Sequence, residues 1–201
     1  MASILVICTG NVCRSPIAEG YLRGALEARL GDEAPLVASA GTAGWEGSGA
    51  MPESVAAAEE LGVDISGHAA RRLRPEHVRA ADLVLAMAAE HRDEVAHAVP
   101  EAAGRAFTLK ELVRLIESLP PVQAARPSAE GLPARIRAAD DLRRSGFAGG
   151  RYDEDVVDPL GMPVDSYRGI AWELKEWSDR LVDGLVGRAA SIPSNAGTGE
   201  V

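Results

Sequence analysis

The segment Cys8-Thr9-Gly10-Asn11-Val12-Cys13-Arg14-Ser15 sets a thiol and a guanidinium in one short stretch, with five residues between them. A cysteine attacks as its thiolate, and an arginine presents a planar fork that grips two oxygens of a tetrahedral oxyanion. If a strand ends at Cys8 and a helix begins near Ser15, the backbone N–H groups between them point inward. The helix N-terminus adds its partial positive charge, and the whole becomes an anion cradle whose field favours the thiolate. Thr9, Gly10, Asn11, Val12, Cys13 and Ser15 are then the candidate phosphate-binding residues beside Cys8 and Arg14. Gly10 permits close backbone approach, Asn11 tolerates the left-handed conformation of a tight nest, and the Ser15 hydroxyl can donate to the thiolate. The blander reading is an inert strand-end cysteine and a surface arginine at a helix start. A zinc site fits poorly. Cys8 and Cys13 lack the two- to four-residue spacing of paired zinc thiolates, and His68, His77, His91 and His97 are all remote in sequence.

The flanking residues supply the required elements. The apolar run over residues 3–8 reads as a buried parallel strand broken by Thr9-Gly10-Asn11. From 15 to 30, Ile17, Tyr21, Leu22, Ala25, Leu26 and Leu30 recur at helical spacing, with Pro16 early, where its missing N–H is harmless. Further strands are predicted at 35–40, 81–87 and 105–109, and further helices at 52–61, 90–99 and 167–186. Trp172 and Trp177 on the last helix are expected in the core. Strands alternating with helices predict an α/β fold, a doubly wound four-stranded parallel sheet with helices on both faces and its ligand site beyond the carboxyl ends of the strands. The Cys8 loop sits at such an end.

Residues 1–190 read as a single domain with an insertion at about 118–150, rich in Pro, Ala, Arg and Gly, with one short amphipathic helix around 134–144. It is read either as a mobile flap beside the site or as a solvated linker. Residues 191–201 form a polar tail expected to be disordered. Lys and Arg total 21 against 30 Asp and Glu, a net charge of −9 that argues against nucleic-acid or anionic-membrane partners, so any anion must be held locally. Two cysteines in one loop cannot build a disulfide framework, and no run approaches the length of a membrane helix; a reducing, cytoplasmic setting is expected.

The loop and much of the chain resemble the low-molecular-weight protein tyrosine phosphatase family. Its signature CxGNxCRSP is matched by CTGNVCRSP, and the match continues in Ser39-Ala40-Gly41-Thr42, ADLVLAM, Phe107-Thr108-Leu109 and Asp158-Pro159. The likeness covers about residues 3–117 and 155–187, with a longer than usual connection between them. It implies a phosphomonoester hydrolase acting on phosphorylated protein through a phosphocysteine intermediate, without metal or other cofactor. Cys8 would be the nucleophile, Arg14 would hold the equatorial oxygens and Asp158 would be general acid and then base. Without the resemblance, Asp158 reads only as the start of an Asp-Pro turn, and Asp153, Glu154, Asp155 and Asp165 as solvated neighbours.

The resemblance also makes Asn11 and Ser39 loop-holding residues and Trp45 a rim aromatic; on residue type alone, Trp45 could equally cap a small satellite core. Many family members carry an aromatic residue directly after Asp-Pro, where this chain has Leu160, a departure that weakens the case for phosphotyrosine. Val12, expected to project beside the leaving group, stands where tyrosine-directed members carry Ile or Leu and an arginine-directed branch carries Thr. A protein-arginine phosphatase is therefore the alternative to a tyrosine phosphatase. An arsenate reductase would need further cysteines, and an inactive phospho-binding module would be expected to lack Cys8, Arg14 or Asp158. The oligomeric state is not legible.

Overall fold

The computed structural model describes residues 2–122, 127–147 and 153–188. Four strands, β1 (Ser3–Cys8), β2 (Leu36–Gly41), β3 (Leu83–Ala86) and β4 (Ala106–Thr108), form one wholly parallel sheet in the order β2-β1-β3-β4. The chain starts in the middle and winds outward both ways, so the crevice between the loops that follow β1 and β3 is the topological switch point. Alternate residues of β1 divide between two cores, which is why its sequence is apolar from Ile4 to Cys8. Ile4, Val6 and Cys8 face the core shared with α1 (Arg14–Leu30), α5 (Leu109–Glu117) and α7 (Val164–Val186). Leu5 and Ile7 face Val78 of α3 (Pro75–Ala80) and Val95 of α4 (Ala89–Ala98). Helix α2 (Pro52–Glu59) packs beside α7. Each fully buried aliphatic of this kind contributes roughly 1.5–3 kcal/mol.

The predicted strands and helices are present, with ends displaced by a few residues, and α3 and α5 are additions; the six residues of α3, with Pro75 at its start, carried too little periodicity to announce a helix. The insertion departs more from expectation. Its helix, α6 (Leu132–Arg144), buries Leu132, Ile136 and Ala139 in the main core and packs on α5. Arg143 lies 4.2 Å from the centroid of the Phe107 ring and donates 2.9 Å to the Ala106 carbonyl. A docked helix of this kind is neither a flap nor a solvated linker; it shields β4, the strand that ends the sheet. Residues 123–126, 148–152 and the expected disordered tail 191–201 lie outside the described part. Trp177 packs against the core under Arg180, but Trp172 is 61% exposed, because α7 turns Ile170, Ala171 and Leu174 inward and leaves position 172 facing away. Among the described residues, no helix is long and apolar enough to cross a membrane.

Candidate active site

The loop from Cys8 to Arg14 is held by a network that fixes the direction of almost every proton in it. Asn11 is the one non-glycine residue with positive φ among the described residues, at 57°, and it is completely buried. Its side-chain amide donates 2.9 Å to Ser15 Oγ and 2.8 Å to Ser39 Oγ, while its Oδ1 accepts from the Arg71 backbone N–H at 2.9 Å. Its carbonyl accepts from His68 Nε2 at 2.8 Å. Because Ser15 Oγ is an acceptor toward Asn11, its own proton is free to donate to Cys8 Sγ, 2.9 Å away. Ser39 likewise passes its proton to Glu19 Oε2 at 2.5 Å. The Asn11 backbone N–H points at the same sulfur, at 3.3 Å. Cys8 thus receives two donors, the arrangement that stabilises a thiolate.

Close backbone approach is needed at Gly41 as well as at Gly10. A Cβ on Gly41 would stand 2.4 Å from the Thr9 carbonyl oxygen, so the strand beside β1 must end in glycine for the loop to fold over it. A Cβ on Gly10 would meet Val12 Cγ2 at 3.3 Å and the Trp45 indole at 3.7 Å. Trp45, whose N–H bonds the Gly10 carbonyl at 3.1 Å, is therefore a half-exposed rim residue rather than the cap of a separate core. Val12 is buried and belongs to the main core, with its carbonyl accepting from Met51 N–H at 2.8 Å; its side chain does not project as expected.

Arg14 opens α1, as an anion-gripping residue at a helix N-terminus should. Its Nη1 donates 3.0 Å to the Val156 carbonyl and its Nη2 donates to Thr9 Oγ1 at 3.2 Å and Asp158 Oδ2 at 2.6 Å. Its buried Nε has no partner among the described residues. Asp158 comes from a distant segment that is itself anchored. Val156 N–H donates 2.7 Å to the Met87 carbonyl, Asp155 Oδ1 accepts from the Ala89 N–H at the start of α4, and Lys110 Nζ donates to the Asp155 carbonyl, both at 2.7 Å. The Leu160 N–H bonds Asp158 Oδ1 at 3.2 Å, and the Leu160 side chain is exposed. Asp155 and Glu154, read as solvated, are structural partners instead: Glu154 pairs with Arg114. Asp165 is exposed beside Arg168.

Burial pushes the Cys13 thiol up to about 11, against the opposing pull of Ser54, so it is a neutral thiol at pH 7. His91, fully buried on α4, stands with Nε2 2.9 Å from Thr9 Oγ1; burial and then the charge of Arg14 hold it below the ordinary histidine range. His91, His68, Glu19 and Arg71 are the site residues that the sequence did not single out. Each lies far along the chain from the loop group it contacts or gives no local signal, and only the fold brings them together. Among the described residues, no three His, Cys, Asp or Glu side chains converge to hold a metal ion. The arrangement can present a sulfur nucleophile beneath an arginine-lined oxyanion pocket, with a half-exposed carboxyl at its mouth.

Residues 3–119 match the low molecular weight phosphotyrosine protein phosphatase family. The chain is 32% identical over 182 residues to a protein-arginine-phosphatase of Geobacillus stearothermophilus, covering 90% of this chain and 95% of that one. It is 37% identical over 137 residues to the low molecular weight protein-tyrosine-phosphatase Etp of Escherichia coli strain K12, covering 68% and 88%. The crystal structure of a low molecular weight protein tyrosine phosphatase from T. tengcongensis superposes with a TM-score of 0.68 at 33% identity, covering 92% of this chain and all of that one. With the fold, the cradle and these relatives in agreement, the chain belongs to the low molecular weight protein tyrosine phosphatase family of cysteine-dependent phosphatases.

Proposed function

We propose that this protein hydrolyses phosphomonoesters on protein tyrosine side chains through a phosphocysteine intermediate. The observation that carries the reading is the convergence of Ser15 Oγ and the Asn11 N–H on Cys8 Sγ, with Arg14 and Asp158 in contact beside them. Cys8 attacks phosphorus in line as the thiolate, and the loop N–H groups and Arg14 take the charge on the equatorial oxygens. That charge is stabilised by donors fixed before substrate arrives, the contribution that dominates in such sites. An incoming phosphoryl group takes the Arg14 Nη2 from Asp158; the released, half-exposed carboxylate takes a proton from solvent, gives it to the leaving oxygen as the P–O bond breaks, and as carboxylate again removes a proton from the water that attacks phosphorus and displaces the Cys8 thiolate. Neither step calls for a metal or cofactor. Cys8→Ser should abolish turnover of p-nitrophenyl phosphate while phosphate still binds; wild-type turnover by that variant would overturn the assignment.

A second reading, phosphoarginine as substrate, is favoured by the relative that matches 90% of the chain and by Leu160, which gives a phenyl ring no stacking wall. The ratio of kcat/KM for phosphotyrosine and phosphoarginine peptides separates the two. An excess for phosphoarginine in the unmodified protein replaces the substrate and leaves the cysteine mechanism standing.

A further inference from the structure

Thr9 Oγ1 accepts from Arg14 Nη2 at 3.2 Å and lies 2.9 Å from His91 Nε2. The tautomer of His91 follows from its surroundings. The ring is 1% exposed, and its Nδ1 has no partner among the described residues. A proton on Nδ1 would be a buried N–H with no acceptor, the rarest kind of unpaired group. A proton on Nε2 has Thr9 Oγ1 in front of it and the Glu90 carboxylate 3.6 Å away. The charged groups facing the ring are Arg14 from α1, Glu90 on its own helix, and Asp155 and Asp158 from the acid segment. Burial and Arg14 keep it neutral at pH 7, so it carries one proton, on Nε2.

Two N–H donors, from Arg14 and from His91, then occupy both lone pairs of Thr9 Oγ1. The hydroxyl proton of Thr9 is left to donate to a third partner, beside the guanidinium that grips the oxyanion. We infer that His91 is a positioning residue: through Thr9 it steadies Arg14 and commits the Thr9 hydroxyl to donate to an oxygen of the phosphoryl group. This rests on reading the loop as a phosphoryl site and adds to it a residue from the first turn of α4, the helix that follows β3. It also accounts for a fully buried histidine with one unpaired nitrogen at the start of α4, which a merely space-filling position would not require.

The test is a double-mutant cycle on the full chain: Thr9→Val, His91→Leu and the pair, with His91→Gln as the conservative variant. The readouts are kcat/KM for p-nitrophenyl phosphate and, independently of turnover, the Kd of inorganic phosphate by calorimetry. His91→Leu and Thr9→Val should each lower kcat/KM and weaken phosphate binding about tenfold, the loss of one hydrogen bond to a charged centre. The pair should lose no more than Thr9→Val alone, and His91→Gln, whose amide can replace the Nε2–H, should recover most of the loss. Losses that multiply in the pair, or a folded His91→Leu variant with unchanged kcat/KM and Kd, overturn the inference. If His91→Leu does not fold, the cycle runs with His91→Met, which also lacks the N–H: its loss should vanish in the Thr9→Val background, and an equal loss in both backgrounds overturns the inference. A wild-type protein that binds phosphate but does not turn over would refute the phosphatase reading and leave the Kd cycle to judge His91.

Discussion

Replacing Asp158 by alanine should pull two measurable quantities in opposite directions. Asp158 Oδ2 is 2.6 Å from Arg14 Nη2, and the arginine side chain is 5% exposed while the aspartate is 42% exposed. An exposed ion pair contributes about 0.2–1 kcal/mol, and a hydrogen bond to a charged group about 1.5–3 kcal/mol. With one partner buried and the other half in water, about 1 kcal/mol is a reasonable value, equivalent to roughly a fivefold change in an equilibrium. That energy must be given up when a phosphoryl group takes the same Nη2. Arg14 would not collapse without Asp158, because Val156 and Thr9 also hold it. Asp158→Ala should therefore bind inorganic phosphate about fivefold more tightly, helped by the removal of a negative charge.

Turnover should fall at the same time. Loss of a positioned general acid costs about 10²–10⁴-fold where the leaving group needs its proton, as with phenyl phosphate. It costs far less for p-nitrophenyl phosphate, whose leaving group is stable as an anion. Competitive inhibition of p-nitrophenyl phosphate hydrolysis by inorganic phosphate gives Ki for both proteins, and a series of aryl phosphates gives the leaving-group dependence. If Ki is unchanged or weaker in Asp158→Ala, the ion pair does not compete with substrate. If phenyl and p-nitrophenyl phosphate slow by the same factor, Asp158 is not the acid.

Asn11→Gly keeps the backbone at φ 57° and removes the side-chain hydrogen bonds to Ser15, Ser39 and Arg71, whereas Asn11→Ala removes them and adds left-handed strain; urea unfolding should place the alanine variant about 1 kcal/mol below the glycine one. Equal stabilities would remove strain from the explanation of this loop. Cys8, the sulfur that two donors face, should be oxidised first by peroxide, and the neutral Cys13 thiol in the same loop should condense with the sulfenic acid, releasing water. Dithiothreitol should restore the wild type and leave much of Cys13→Ala inactive; equal recovery would dismiss Cys13 as a resolving thiol. Ile136→Ala should cost about 2–5 kcal/mol if the insertion helix is part of the core, and a change below 0.5 kcal/mol would return it to the status of a linker.

The parallel sheet was legible because β1 is apolar from Ile4 to its end and a tight Gly-Asn turn leads into a helix with Pro16 in its first turn. Periodicity carried the long helices and failed where an element is short or owes its place to partners elsewhere. Helix α3 has a single buried residue, Val78. The insertion that carries α6 read as a flap or a solvated linker because of its Pro and Gly content, yet Arg143 covers Phe107 with its guanidinium and Asp140 is buried between two arginines. Trp172 shows the converse error. Residue type suggested burial, but its position two residues beyond Ile170 puts it on the opposite side of α7.

The site divides in the same way, and the division has a physical cause. Whatever acts through consecutive backbone, the cradle from Cys8 to Ser15, could be read from spacing, because a nest and a helix N-terminus are local constructions. The residues that tune the cradle act across the fold. Glu19 reaches the loop through Ser39 on the neighbouring strand, Arg71 through its own backbone N–H, and His91 through Thr9 from the first turn of α4. Their residue types are unremarkable where they stand, and nothing local distinguishes His91 from the exposed His97 on the same helix. Burial separates them: a histidine with no access to water and with Arg14 beside it must make its one proton useful, whereas an exposed one has solvent for a partner. The part of an active site hidden from spacing is thus the part that must be desolvated, since desolvation is a property of the assembled sheet and helices and of no segment by itself.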